Sequence, residues 1–148
     1  MERSARASGP IAQMNWGRMK FDLGNPRLRE FENSLEEVYT LAEQSTGFVW
    51  RISDEEIAAE LKECGFDGRT SATVSVWKSY GDLHRYTFES LHGKYLDRRR
   101  EWFEQVEGPR LVIWNVTADA RPSFAEALMR LEHLKTHGAS SFAFCWEP

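Results

Sequence analysis

Cysteine is scarce: only Cys64 and Cys145 occur, far apart and in no zinc or redox spacing. Neither a disulfide framework nor a cysteine metal centre is expected, and a reducing, cytoplasmic setting suits two free thiols. Long apolar runs are missing as well. No stretch approaches the roughly 20 residues that cross a bilayer, and no apolar leader follows Met1, so neither membrane insertion nor export is expected. Positive charge is not in excess: 19 basic residues face 23 acidic ones, a formal charge of -4, which argues against a nucleic-acid partner or an anionic surface. A glycine-rich phosphate loop, a nucleophile elbow and a His-Glu-x-x-His pattern are all lacking. His133 and His137 stand four apart on an expected helix, but without a third ligand, so no metal site is expected.

Aromatic residues, by contrast, are plentiful. They make up 13% of the chain and include six tryptophans, within a hydrophobic content of 41% that is enough for one core. Residues 1–10 are small, polar and basic and read as a flexible N-terminal arm. Residues 11–148 read as a single domain.

Ile11 to Phe21 mixes β-branched, aromatic and polar residues and predicts a first strand that stops at Gly24-Asn25-Pro26. Asn25 and Pro26 then open a helix whose apolar stripe is Leu28, Phe31, Leu35, Val38 and Leu41. Gly47 to Ile52 predicts a second strand. Ser53 and Glu56 form a capping box for a short helix carrying Ile57 and Leu61. Ala72 to Lys78 alternates and predicts a third strand. Ser79 with Asp82 opens a helical region expected to run through Glu104, bent at Gly93. Leu111 to Val116 is a further strand. Ser123 and Glu126 cap a last helix striped with Phe124, Leu128, Leu131 and Leu134 and stopped by Gly138, and Phe142 to Trp146 can add a short final strand. The order predicts an α+β, ferredoxin-like antiparallel sheet with helices on one face.

Chemistry concentrates between His92 and Phe103. At about 100° per residue, Arg98, Arg99 and Arg100 cannot share one helical face. Arg98 has Glu101 within reach, and Arg100 has Asp97 and Glu104, so both are expected on a solvated surface. Arg99 has only Tyr95, Leu96, Trp102 and Phe103 at helical spacing and must find a partner elsewhere. Seven residues from His92, it would share that residue's face together with Leu96 and Phe103. An imidazole moves protons near neutral pH, and a guanidinium holds a carboxylate, phenolate or enolate. The plainer alternative is a structural pair: an arginine bound to a core-edge acid and a histidine that only donates a hydrogen bond.

Trp16, Trp50, Trp77 and Trp114 all fall on expected strands and could line one cavity, or could be core and interface aromatics. The candidate ligand-lining set is Trp50, Trp77, Phe88, Tyr95, Leu96, Trp102, Phe103 and Trp114, beside His92 and Arg99 as candidate catalytic residues.

Several of these motifs carry a family resemblance. Gly47-Phe-Val-Trp-Arg51, Ser75-Val-Trp-Lys-Ser79, the His92 to Phe103 stretch, Gly108-Pro-Arg-Leu-Val-Ile-Trp114, Arg121-Pro, Ala125-Glu-Ala-Leu and Leu131-Glu-His-Leu together resemble a domain-of-unknown-function family, number 3291. That family belongs to the dimeric α+β barrel superfamily of the antibiotic-biosynthesis monooxygenases. The likeness runs from about Ile11 to Trp146 and departs at Asp54 to Gly65, where a helix replaces an expected loop. It implies a homodimer whose sheets pair to close a barrel, with a small-molecule pocket between sheet and helices in each copy. It further implies an enzyme that oxygenates, isomerises or cyclises an aromatic or polyketide-like substrate without a cofactor, with His92 as acid or base and Arg99 as anion anchor. Two alternatives come with it: haem bound by His92 beside Trp77 and Phe103, or a non-catalytic binding or assembly dimer.

Overall fold

Side-chain oxygens start the helices as the capping patterns require. Ser53, Ser79 and Ser123 accept from the backbone N–H groups of Glu56, Asp82 and Glu126, and Asn25 accepts from Arg27 N. The computed structural model describes residues 5–90, 94, 95 and 97–146. Among them the order is β1 (Ile11–Arg18), a 3-10 turn (Pro26–Leu28), α1 (Arg29–Gln44), β2 (Phe48–Arg51), α2 (Asp54–Glu63), β3 (Thr70–Trp77), α3 (Tyr80–Glu89), α4 (Arg99–Trp102), β4 (Leu111–Asn115) and α5 (Phe124–His137).

The strands form one antiparallel sheet in the order β2-β3-β1-β4, the ferredoxin-like arrangement, with α2 inserted between β2 and β3 and α5 added after β4. Along β1, Ile11, Gln13, Asn15 and Gly17 point to one face, here called the odd face, opposite Trp77, Ser75, Thr73 and Ser71 of β3. Ala12, Met14 and Trp16 point to the even face, with Ala72, Val74, Val76, Val112 and Trp114.

The helices do not keep to one face. Ala42 of α1 and Tyr80 and Leu83 of α3 pack with Ile11, Trp77 and Ile113 on the odd face. Ile57 and Leu61 of α2, with Phe124, Ala127, Leu131 and Leu134 of α5, cover the even face. The expectation of helices on a single face is therefore corrected, and the reason lies in the strands. Alternation leaves valines, Met14 and Trp114 on the even face, and burying each such side chain is worth roughly 1.5–3 kcal/mol. The apolar stripes of the additional helices supply that cover.

Two local expectations also change. The helix after Ser79 stops at Glu89, because Ser90 is extended (φ -112°, ψ -173°) and its hydroxyl donates to the Tyr86 carbonyl. A second break falls after Trp102, where Phe103 is extended and bridges Met19 while Glu104 N donates to Arg18 O at 2.8 Å. The expected last strand is reduced to two isolated bridges, Ile113 with Phe144 and Ser140 with Ala143. Ser8 N donates to Asn115 Oδ1 at 2.8 Å and Val116 N donates to Pro10 O at 3.1 Å, tying residues 8–10 to the end of β4.

Gly47 opens β2 at φ +86°, and a Cβ there would lie 2.1 Å from Asp82 Oδ2. Gly47→Ala should therefore destabilise by about 2–3 kcal/mol through combined backbone strain and overlap. Urea unfolding checks this, and a loss below the usual scatter of surface substitutions would contradict it.

Candidate functional site

On the odd face, two apolar clusters leave a polar gap between them. At one end Ile11, Trp77, Tyr80, Leu83, Ile113 and Phe144 pack together. At the other end Met19, Leu28 and Trp102 pack with Phe21, Phe31, Tyr95 and Phe103. The strand positions between them are Gln13, Asn15, Thr73 and Ser75, and Gln13 and Ser75 are only 4% and 7% exposed.

A buried amide or hydroxyl costs free energy unless it is hydrogen-bonded, and these are. Gln13 Nε2 donates to Ser75 Oγ at 2.8 Å and to Thr73 Oγ1 at 3.3 Å. Trp77 Nε1 donates to the same Ser75 Oγ at 2.9 Å, and Asn15 Nδ2 donates to Gln13 Oε1 at 3.0 Å. Trp77 thus orients Ser75, which orients Gln13, which orients Asn15. Asn15 Oδ1 has no donor among the described residues, and Asn15 and Thr73 are half-buried, so the open end of this belt can still accept and donate.

Two phenols border the same layer. Tyr86 stacks on Trp77 with centroids 5.1 Å apart, and its hydroxyl donates to Val38 O at 3.2 Å, joining α3 to α1. Tyr39 lies under the Arg51 guanidinium at 4.3 Å. Burial raises both phenolic pKa values above the ordinary tyrosine range; nearby Asp54 adds to the rise at Tyr39 and opposes Arg51.

The sequence-predicted residues are not brought to one place. Trp77 belongs to the odd face, whereas Trp50 and Trp114, with Trp16, belong to the even face. A bulge causes the separation at β2: Phe48 pairs with Trp77, but Trp50 pairs with Val76, so the two residues face opposite ways despite a spacing of two. One cavity lined by these tryptophans is therefore not formed. Phe88 is 42% exposed on α3, grouped with His84 and Trp146. Tyr95, Trp102 and Phe103 do assemble, in the apolar cluster at the Gly17 end of the odd face. Phe103 lies so close to Gly17 that a Cβ there would stand 2.7 Å from the ring. His92 and Leu96 lie outside the described residues.

Arg99 is exposed, and the helical register that linked it to His92 is interrupted at Arg98 (φ -94°, ψ 5°). Arg98 pairs with Glu101 at 2.8 Å, as expected, and with Glu30 as well. Arg100 does not take Glu104, because the chain leaves the helix at Phe103 and Glu104 pairs with Arg18. Arg99, Arg100 and Arg110 have no carboxylate partner among the described residues. Burial lowers the Arg110 pKa, and the charges of Arg99 and Arg100 add to that. This cationic group adjoins the Phe103 end of the belt, since Phe103 N donates to Arg99 O and Arg110 donates to Glu104 O.

Of the residues expected beside haem, Trp77 is 1% exposed and stacked on Tyr86 and offers no face to a macrocycle, Phe103 is half-buried against Gly17 and Phe31, and His92 lies outside the described residues. Among the described residues no group of three or more His, Cys, Asp or Glu side chains could hold a metal ion, and no helix is long and apolar enough to cross a membrane.

The polar belt itself was missed. Its signal was the alternation of Gln13 and Asn15 with Met14, and of Thr73 and Ser75 with Val74, which by itself reads as a solvent-facing side of a strand.

A four-stranded antiparallel sheet of this order, crossed by helices, defines the class as ferredoxin-like α+β. Within it, the chain belongs to the family described as a domain of unknown function, DUF3291, which matches residues 10–148. No curated protein matches it. A conserved protein from Methanosarcina mazei Go1 shares the fold, with a TM-score of 0.51, 14% identity, and coverage of 74% of this chain and 94% of that one. SnoaB, a cofactor-independent oxygenase from Streptomyces nogalater, aligns with a TM-score of 0.47 and 11% identity, covering 78% and 97%.

Ser75→Ala should leave Trp77 Nε1 without its acceptor and Gln13 Nε2 with only its longer bond, to Thr73, costing about 1–3 kcal/mol in urea unfolding. An unchanged midpoint would show that the belt is not a linked network. A second measurement follows from the phenols. Each stays protonated in the folded chain while its unfolded counterpart ionises near pH 10.0, so stability is full below that pH and falls above it. Tyr39→Phe and Tyr86→Phe should each flatten that alkaline loss, and equal slopes in all three proteins would refute the assignment.

Proposed function

We propose that this chain is a small-molecule enzyme of the antibiotic-biosynthesis-monooxygenase-like type, binding an aromatic or polyketide-like substrate against the polar belt of the odd face. The observation that carries the reading is the uncharged network of buried Gln13, Ser75 and Trp77 with half-buried Asn15 and Thr73, between two aromatic clusters. A sheet face serving stability alone gains more from apolar side chains at these positions. A fixed set of amide and hydroxyl groups between aromatic walls instead suits a flat ring system with phenol or carbonyl edges.

In this reading Asn15 Oδ1 and Thr73 Oγ1 engage the polar edge of the ring. His92, two positions beyond Ser90 in the sequence, takes the role of acid or base, an assignment that rests on the sequence alone. Arg99, with Arg100 and Arg110 beside it, steadies the oxyanion that forms when a proton is withdrawn. Proton removal from an activated ring carbon or phenol is a first step shared by oxygenation, isomerisation and cyclisation.

The test is binding and turnover with a panel of hydroxylated polycyclic aromatics. Asn15→Ala should weaken binding roughly tenfold, about 1.4 kcal/mol. His92→Ala should abolish turnover while binding persists, and Arg99→Ala should raise KM. Full turnover in both of the latter would remove their roles, and tight binding by Asn15→Ala would move the ligand off the belt. Binding with no turnover of any panel member would leave a binding protein in place of an enzyme.

A further inference from the structure

The even face holds more buried residues than either odd-face cluster, and the lone chain covers it. Ala12, Met14, Val74, Val76, Val112 and Trp114 are each 0% exposed. A sheet face that paired with a second copy would stand open in one chain as a contiguous apolar patch. Among the described residues the exposed large apolar side chains are Leu23, Phe88, Met129 and Phe142, none of them on a strand. The cover comes from α2 and α5, the elements added to the strand-helix-strand-strand-helix-strand plan.

These helices are fastened to each other. Glu60 Oε1 of α2 accepts from Phe124 N, the first residue of α5, at 2.9 Å. A carboxylate at that end satisfies an otherwise unpaired N–H and lies favourably in the helix dipole. Phe66, just beyond α2, meets the Phe124 ring edge-on with centroids 5.7 Å apart.

We infer that α2 and α5 occupy in one chain the place of a second copy's sheet, so this protein does not close a barrel by pairing even faces. The homodimer implied by the family resemblance loses its surface, while the odd face remains free of that constraint.

The experiment is sedimentation together with amide hydrogen exchange on the full chain, diluted from about 100 to about 1 μM. Exchange in α2 and α5 is expected to be independent of concentration. Protection of these helices that falls tenfold or more on dilution, in step with a dissociating dimer, would overturn the inference. Glu60→Ala should accelerate exchange across α5 and bring on self-association absent from the parent chain. Unchanged α5 exchange in that variant would overturn the fastening.

Discussion

β1 is hydrogen-bonded along both edges and covered on both faces, and the rest of the molecule is arranged around that confinement. Ile11, Ala12, Gln13 and Met14 are all 4% exposed or less. In such a strand a slip of one residue would drive Gln13 and Asn15 into the Val74 and Val112 layer and carry Met14 onto the polar belt. The register is thus held from two sides, by apolar contact on the even face and by the Gln13–Ser75 bond on the odd face. Alternation in β1 and β3 is what lets one sheet carry two environments that differ this much.

The two faces divide the work. The even side is closed by Ile57, Leu61, Phe124, Leu131 and Leu134, whose burial stabilises by roughly 1.5–3 kcal/mol each and leaves little there that could recognise a solute. The odd side is apolar at its ends and polar at its centre. A hydrogen bond in the belt is worth only about 0.5–1.5 kcal/mol net, less than a well-packed aliphatic side chain at the same position would contribute. That imbalance is the physical argument for recognition, since the belt makes the face more specific without making it more stable.

Much of this was legible in the residues. Ser53, Ser79 and Ser123 announced their helices by capping patterns that depend on a few neighbouring positions, and the Leu111 to Val116 run announced β4 by composition. What stayed hidden depended on contacts distant in sequence. The bulge that sends Trp50 away from Trp77 is a property of the β2–β3 pairing, and no local pattern in Gly47 to Ile52 encodes it. Helical periodicity continued past Ser90 on paper, but pairing of Phe103 and Glu104 with β1 outweighed propensity, which is worth only tenths of a kcal/mol per residue. The belt was hidden for the opposite reason, because its local pattern was plain and only the cover of α1 and α3 changes its meaning from wet surface to buried floor.

That early exit from the helix also settles the character of the arginine run. Had the helix continued through Glu104, Arg100 would have met its acids and Arg99 would have turned toward the aromatic side. Instead Glu104 is drawn to Arg18, whose second partner is Asp67 at 2.7 Å, and Arg98 takes Glu101 and Glu30. Glu30, Glu101 and Glu104 are thereby engaged, and among the described residues Arg99, Arg100 and Arg110 have no carboxylate partner in a chain whose net charge is -4. Three guanidiniums sharing one neighbourhood repel one another, and an anion arriving from solution relieves that repulsion where another cation would deepen it. In the proposed reading, their place beside Phe103, at one end of the belt, would give an acidic or phenolic solute an attraction that the uncharged floor lacks.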